Sequence, residues 1–406
     1  MAAKAKLTPI DQAFDILLPG LPRIAEAEEV DLLSASGRIL ARDCVSEINV
    51  PPHANSAMDG YAIRAEDQQK ESILHVSQRI AAGSIGKALK PGEAARIFTG
   101  AVIPESANAV VMQENCELQG DKLHIKQAVI EGENLRRAGE DVTAGKKLLQ
   151  AGHRLLPQDI GLLASIGVES VAVKRKLKIA LMTTGDELIE PGEKLKPGQI
   201  YNSNFYTLHS LLAALPVEVL DFGIVGDDFE DTRQALSEAS QSVDCIITTG
   251  GVSVGEEDHV KAAVEAEGEL DLWKLAIKPG KPLACGKLGT ARFFGLPGNP
   301  VSAFVTFALV VRPCLLTMLQ CESVFPNRFQ MKSGFEAAKS GERQEFVRAL
   351  IAKDQDHGIS LIPYSNQSSG VGASLSNADG LMVIPPFSAV AIGDNLDFIP
   401  FNEMLN

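Results

Sequence analysis

Three kinds of residue in this chain can do chemistry together: carboxylates that follow apolar runs, closely spaced glycines, and lysines set among prolines. The densest run is Thr248-Thr249-Gly250-Gly251-Val252-Ser253-Val254-Gly255-Glu256-Glu257-Asp258, which lies between the apolar Cys245-Ile246-Ile247 and a helical pattern. Glycines at such a strand-to-helix turn let main-chain N–H groups wrap a phosphate at a helix N-terminus. Turns of this kind also serve plain packing.

Asp186 and Glu187 follow the apolar run at 177–182, Asp227 follows Gly223-Ile224-Val225-Gly226, and Asp258 closes the glycine-rich run. All four fall beyond the C-terminal ends of predicted strands, the edge at which open α/β sheets bind ligands. Carboxylates converging there suit a hard cation such as magnesium, which neutralises phosphate. Helix capping is the alternative, and for Asp186 it is an equal one.

Lys274, Lys278 and Lys281 fall within eight positions of a chain whose formal net charge is −14. Pro279, Gly280 and Pro282 stiffen that segment, so Lys278 and Lys281 are presented on a fixed loop, as an oxyanion receptor requires. Gly295-Leu296-Pro297-Gly298-Asn299-Pro300-Val301-Ser302 is a second rigid turn, before an apolar helix at 303–311. Its N–H groups and Ser302 would add anion contacts, and capping by Asn299 or Ser302 is compatible with that. A divalent oxyanion suits the set. Asn55 to Ala62, Phe98-Thr99-Gly100 and Asn134 to Asp141 have loop character and read, from their residues alone, as turns.

The elements that must position these groups alternate. Strands at 177–182, 217–222 and 245–247 are separated by helical patterns at 203–212, 228–239 and 258–267, which implies a parallel sheet in an α/β domain spanning 176–320. Upstream, a helix at 8–18 is followed by a second helix-period segment at 29–40 and then by Pro51-Pro52. Residues 51–140 switch to short apolar alternations and read as a β-rich insertion. Residues 141–175, with a helix after Pro157, rejoin 1–50 as one discontinuous domain. After residue 320, apolar strands at 346–351, 359–363, 381–384 and 395–399 read as a small C-terminal β barrel or sandwich.

Bulk properties exclude several classes. A pI near 5.1 argues against general nucleic-acid or anionic-membrane binding. Neither a secretory signal core nor an apolar stretch of about 20 residues is expected, which places the protein in the cytoplasm. Six scattered cysteines without CxxC spacing read as small buried apolar residues, not as a zinc site or a disulfide framework.

Five motifs, Ser56-Ala57-Met58-Asp59-Gly60-Tyr61-Ala62, Thr184-Gly185-Asp186-Glu187-Leu188, Gly250 to Gly255, Lys278-Pro279-Gly280-Lys281-Pro282 and Gly295 to Ser302, occur in an order that resembles the MoeA and gephyrin E-domain family. The resemblance covers nearly the whole chain and is loosest after residue 320, at Phe346-Val347-Arg348 and Asn366-Gln367-Ser368-Ser369-Gly370. It implies four domains: a discontinuous elongated one, the β-rich insertion, a molybdopterin-binding α/β domain and a C-terminal β barrel. It also implies a transferase using magnesium or another divalent cation, in which adenylylated molybdopterin and molybdate react, AMP is released and molybdenum is left on the dithiolene sulfurs.

Carried over by position, the resemblance implies that Glu187, Asp227 and Asp258 handle metal and phosphate, and that Gly250, Gly251 and Ser253 cradle substrate. It puts Lys278, Lys281, Ser302, Arg348 and Ser369 around molybdate, with Pro282 and Asn299 as further substrate contacts and Lys274 on phosphate or pterin. It makes the protein a homodimer with active sites between subunits, so that Asp59, Thr99, Arg136 and Asp141 come from the second copy. The molybdopterin adenylyltransferase is the implied upstream partner. Two other readings remain at this stage: a scaffold, as in relatives that cluster membrane receptors, and an enzyme that adenylylates molybdopterin or hydrolyses pyridine nucleotides.

Overall fold

A computed structural model describes residues 7–70, 73–252, 259–354 and 358–405. Its central feature is a six-stranded sheet in the order Val217–Val225, Leu177–Thr184, Cys245–Thr249, Ala291–Leu296, Pro282–Leu288, Glu269–Lys274. The first four strands are mutually parallel, Pro282–Leu288 runs antiparallel to them, and Glu269–Lys274 runs antiparallel to Pro282–Leu288. Cys245–Thr249 and Ala291–Leu296 are buried along their whole length, as strands covered on both faces must be. The period of two is visible within one strand: Leu177, Ile179 and Leu181 join one apolar cluster with Leu208, Leu212 and Phe294, whereas Ala180 and Met182 join another with Leu236 and Ala263.

Helices Ser203–Ala213 and Pro300–Met318 cover one face and Phe229–Ser240 with His259–Glu267 the other. The starts of two of them are chemically marked. Asp228 accepts hydrogen bonds from the N–H groups of Glu230 (2.8 Å) and Asp231 (3.2 Å), and Asn202 accepts from that of Phe205 (3.4 Å); a cap of this kind contributes about 1 kcal/mol. The helix expected at 303–311 extends in both directions. At 19 residues and mean hydropathy 1.9, Pro300–Met318 is long and apolar enough to cross a membrane, which corrects the expectation that no such stretch exists, but it is buried throughout and forms the spine of the core.

The segment 29–40 departs from its helical spacing. Ala27–Asp31 is a strand paired antiparallel with Ser170–Lys174, Leu32–Ala35 is one short helical turn capped by Asp31, and Gly37 at φ +79° ends it. Pairing with a distant strand outweighs local periodicity here. Cys44–Val45 pairs with Lys147–Leu149, and Val50 bridges Val142, so the chain departs and returns side by side. Between those points lies a second six-stranded sheet, Ala109–Met112, Gly60–Ile63, Glu93–Ile97, Ile73–Ile80, Lys122–Ile125, Cys116–Gln119, beside which Asn55–Ser56 pairs with Leu135–Arg136.

The last unit is a curled sheet of Phe329–Lys332, Gln344–Asp354, Gly358–Pro363, Gly380–Ile384 and Asn395–Pro400, closed by a bridge between Ser333 and Leu361. Its longest strand also pairs in parallel with Ile277–Lys278, so the lysine loop is joined to this unit.

Candidate active site

Two cavities meet over the C-terminal edge of the parallel strands. The larger, of about 610 Å³, is lined by Thr183, Thr184, Gly185, Glu187, Asn204, Asp227, Thr249, Gly250 and Gly251, and on its far wall by Pro297, Gly298 and Asn299. The turn after Cys245–Thr249 requires its glycines. Gly250 and Gly251 have φ of +99° and +59°, and a Cβ would run into Thr184 at Gly250 and into Val260 at Gly251. Thr184 also carries a buried hydroxyl that makes no hydrogen bond among the described residues.

Two glycine-rich turns are tied together across this cavity. Asn204, in the first turn of its helix, donates from Nδ2 to the Thr249 hydroxyl (3.0 Å) and to the Gly298 carbonyl (2.7 Å). Thr249 in turn donates to the Pro297 carbonyl (3.1 Å), and the Gly250 N–H to the Leu296 carbonyl (3.1 Å). Asn202 donates to the Thr183 hydroxyl (3.0 Å) and to Glu190 (3.2 Å) while capping the same helix. Neither asparagine had been marked by the motifs, although Asn202-Ser203-Asn204 directly ahead of an apolar-periodic run is a recognisable cap signal.

Glu187 and Asp227 line this cavity, and the Asp227 N–H donates to Asp186 (3.1 Å), so Asp186 orients the acid loop. Among the described residues no three metal-ligating side chains converge. Magnesium is commonly held by one or two carboxylates with substrate phosphates completing the shell, and Glu187 with Asp227 fit that pattern. Ser253 and Asp258 lie outside the described residues.

The second cavity, of about 460 Å³, shares Pro282 and Asn299 with the first. Lys278, Lys281, Arg343 and Arg348 bring four cations to its wall, with Ser302, Ser368 and Ser369 as hydroxyl donors. Arg348 is 1% exposed, and among the described residues its guanidinium donates only to neutral oxygens: the Ser374 hydroxyl (3.1 Å) and the carbonyls of Asn366 (3.2 Å) and Ser368 (3.0 Å). Burial pulls its pKa below the usual arginine value, but an arginine so shifted keeps its charge. Gln367 fixes the strand beneath it, accepting from the Arg348 N–H (3.0 Å) and donating to the Arg348 carbonyl (2.8 Å). Asn299 stands at the N-cap of its helix without making a side-chain cap bond, and it lines both cavities. The Val301 N–H donates to the Ser369 carbonyl (3.1 Å), which joins the turn to the C-terminal unit.

Five of the expected residues line neither cavity. Lys274 ends a strand ahead of the lysine loop, Asp59, Thr99 and Arg136 belong to the insertion, and Asp141 directly follows it. Asp59 accepts hydrogen bonds from Thr99, which hold its pKa below the ordinary carboxylate value.

Three family models match the chain from end to end: the MoeA N-terminal region (domain I and II) over residues 8–167, a probable molybdopterin binding domain over 180–317, and the MoeA C-terminal region (domain IV) over 330–401. A Haemophilus influenzae protein named molybdopterin molybdenumtransferase is 39% identical over 98% of this chain and 99% of its own length. A Bacillus subtilis protein of the same name is 33% identical over 95% of this chain and 92% of its own. The crystal structure of the molybdopterin biosynthesis moeA protein from Pyrococcus horikoshii OT3 matches with a TM-score of 0.84 at 31% identity, covering 97% of this chain and 100% of that one. By sequence along its full length and by fold, this chain belongs to the MoeA family.

Proposed function

We propose that this protein is a molybdopterin molybdenumtransferase of molybdenum cofactor biosynthesis, which inserts molybdate into adenylylated molybdopterin and releases AMP. The observation that carries this reading is the shared wall: a glycine-lined, acid-bearing cavity and a four-cation cavity meet at Pro282 and Asn299. One suits a phosphoanhydride and the other a divalent oxyanion, side by side.

In this reading the glycine-rich turn, through the Gly251 N–H, holds the substrate phosphates, the Gly250 N–H being engaged with the Leu296 carbonyl, and Asn204 keeps the two turns at the separation the anhydride needs. Glu187 and Asp227 would hold magnesium or another divalent cation, with Asp258 as a third carboxylate. When bound, that ion offsets phosphate charge as the anhydride P–O bond breaks to water and AMP leaves. Lys278, Lys281, Arg348, Ser302 and Ser369 hold molybdate beside the dithiolene, whose two thiol protons carry off one oxo group as water while two Mo–S bonds form.

Asp59, Thr99, Arg136 and Asp141, remote from both cavities within one chain, fit a homodimer in which the insertion of a second copy completes the site, and Lys274 contacts phosphate or pterin there. The enzyme would take its substrate from a molybdopterin adenylyltransferase. A cytoplasmic location accords with six unbridged cysteines. Purified protein given magnesium, adenylylated molybdopterin and molybdate should release AMP and retain molybdenum on the pterin; absence of AMP would refute the reading.

A further inference from the structure

The four cations of the oxyanion cavity are accompanied by one carboxylate among the lining residues, Glu345. Its Oε1 accepts from the Lys278 ammonium at 3.1 Å. The pair is set by the backbone, because Lys278 and Glu345 are register partners where the lysine loop runs parallel to the long C-terminal strand. The Gln344 N–H donates to the Ala276 carbonyl (2.9 Å) and Arg343 to the Ile277 carbonyl (3.3 Å), so the main chain leading into the pair is held in both segments. The two side chains differ in freedom: that of Glu345 is 20% exposed and that of Lys278 53%. The lysine is the partner that can move.

We propose that Glu345 is an internal counter-ion that competes with the incoming oxyanion for Lys278. An ammonium held by a carboxylate at hydrogen-bond distance must give up much of that contact to engage a second anion fully. Each oxyanion that enters therefore displaces an ion pair, and each that leaves is replaced by one. The affinity of the cavity is held below what its four cations would confer, which keeps the guest exchangeable. Glu345 acts through Lys278 and is a positioning residue. This inference rests on the oxyanion reading of the cavity.

The test turns on a sign. If the ion pair merely braces the junction, Glu345→Gln loosens the lysine loop and weakens binding. If Glu345 competes, the same substitution tightens it. Equilibrium dialysis of the full-length protein against molybdate should show Glu345→Gln binding roughly two- to fivefold more tightly than the wild type, the weight of one half-exposed ion pair. With Lys278→Gln already present, adding Glu345→Gln should give a distinctly smaller gain, and in turnover the KM for molybdate should fall without a rise in kcat. Glu345→Ser gives the same comparison if the glutamine variant does not fold. Unchanged or weaker binding, or an equal gain without Lys278, overturns the proposal. A wild type that binds no molybdate instead overturns the oxyanion reading, before any variant is made.

Discussion

Asp59 accepts two hydrogen bonds from one residue, the backbone N–H and the hydroxyl of Thr99, each at 2.8 Å. The contact links two loops of the insertion and fixes an exposed carboxylate outside both cavities. An acid held this rigidly in one chain has a use if a second chain supplies the rest of the site.

That arrangement predicts complementation. Asp59→Asn and Glu187→Gln, each inactive alone, should recover activity when mixed and allowed to exchange subunits. Random pairing makes half of the dimers mixed, each with one intact site of two, so roughly a quarter of the wild-type rate is expected. AMP release measured before and after exchange checks this, and no recovery after proven exchange refutes the shared site.

Asn204 gives a second prediction. Its two bonds to Thr249 and Gly298 bridge the glycine-rich turns from a third element, beside the direct bonds from Thr249 to Pro297 and from Gly250 to Leu296, and a hydrogen bond of this kind contributes about 0.5–1.5 kcal/mol net. Asn204→Ala should lower kcat/KM for the adenylylated substrate by roughly five- to a hundredfold, while thermal unfolding shifts by only a few degrees. Equal losses of stability and activity would mean that the asparagine only holds the fold.

How much of this was legible beforehand depended on how local each cause is. The strand at 177–182 announced itself because its apolar run is buried on both faces, and the lysine and Asn299 turns did so because proline and glycine fix a backbone wherever it lies. The strand Ala27–Asp31 did not, since its partner Ser170–Lys174 is supplied by distant chain. Glu345 was invisible for the same reason: it reaches Lys278 across 67 positions through a two-residue pairing that no periodicity encodes. Asn204 looked like an ordinary helix-start residue until the fold brought both turns to it.

A third prediction concerns pH and lies on the opposite edge of the sheet. Burial raises the pKa of Asp244, but hydrogen bonds from Arg175 (2.7 and 2.8 Å) and from the Lys178 N–H (2.8 Å) outweigh it and leave the group below its ordinary value. A depressed carboxylate contributes stability above its unfolded pKa, near 4, and loses it as pH falls through the folded value. Asp244→Asn should therefore cost about 2 kcal/mol at pH 7, and that difference should shrink as the pH drops below about 4. Urea titrations at the two pH values read this directly, and a pH-independent difference would show that the charge is not what matters.

The last prediction separates charge from shape at Arg348. Because its acceptors are a hydroxyl and two carbonyls, no carboxylate among the described residues competes with a guest for it, in contrast to Lys278. Arg348→Met keeps much of the volume but removes the cation and leaves the buried Ser374 hydroxyl and two partly buried carbonyls without their donor, at about 1–3 kcal/mol. Arg348→Lys keeps the charge but cannot reach the same oxygens together, because an ammonium lacks the planar fork. Stability should therefore fall in both variants, whereas molybdate affinity should fall at least about tenfold in the methionine variant and distinctly less in the lysine one. Equilibrium dialysis with calorimetry on the same samples distinguishes the two effects, and equal affinity in both variants would mean that the fork, not the charge, recognises the oxyanion.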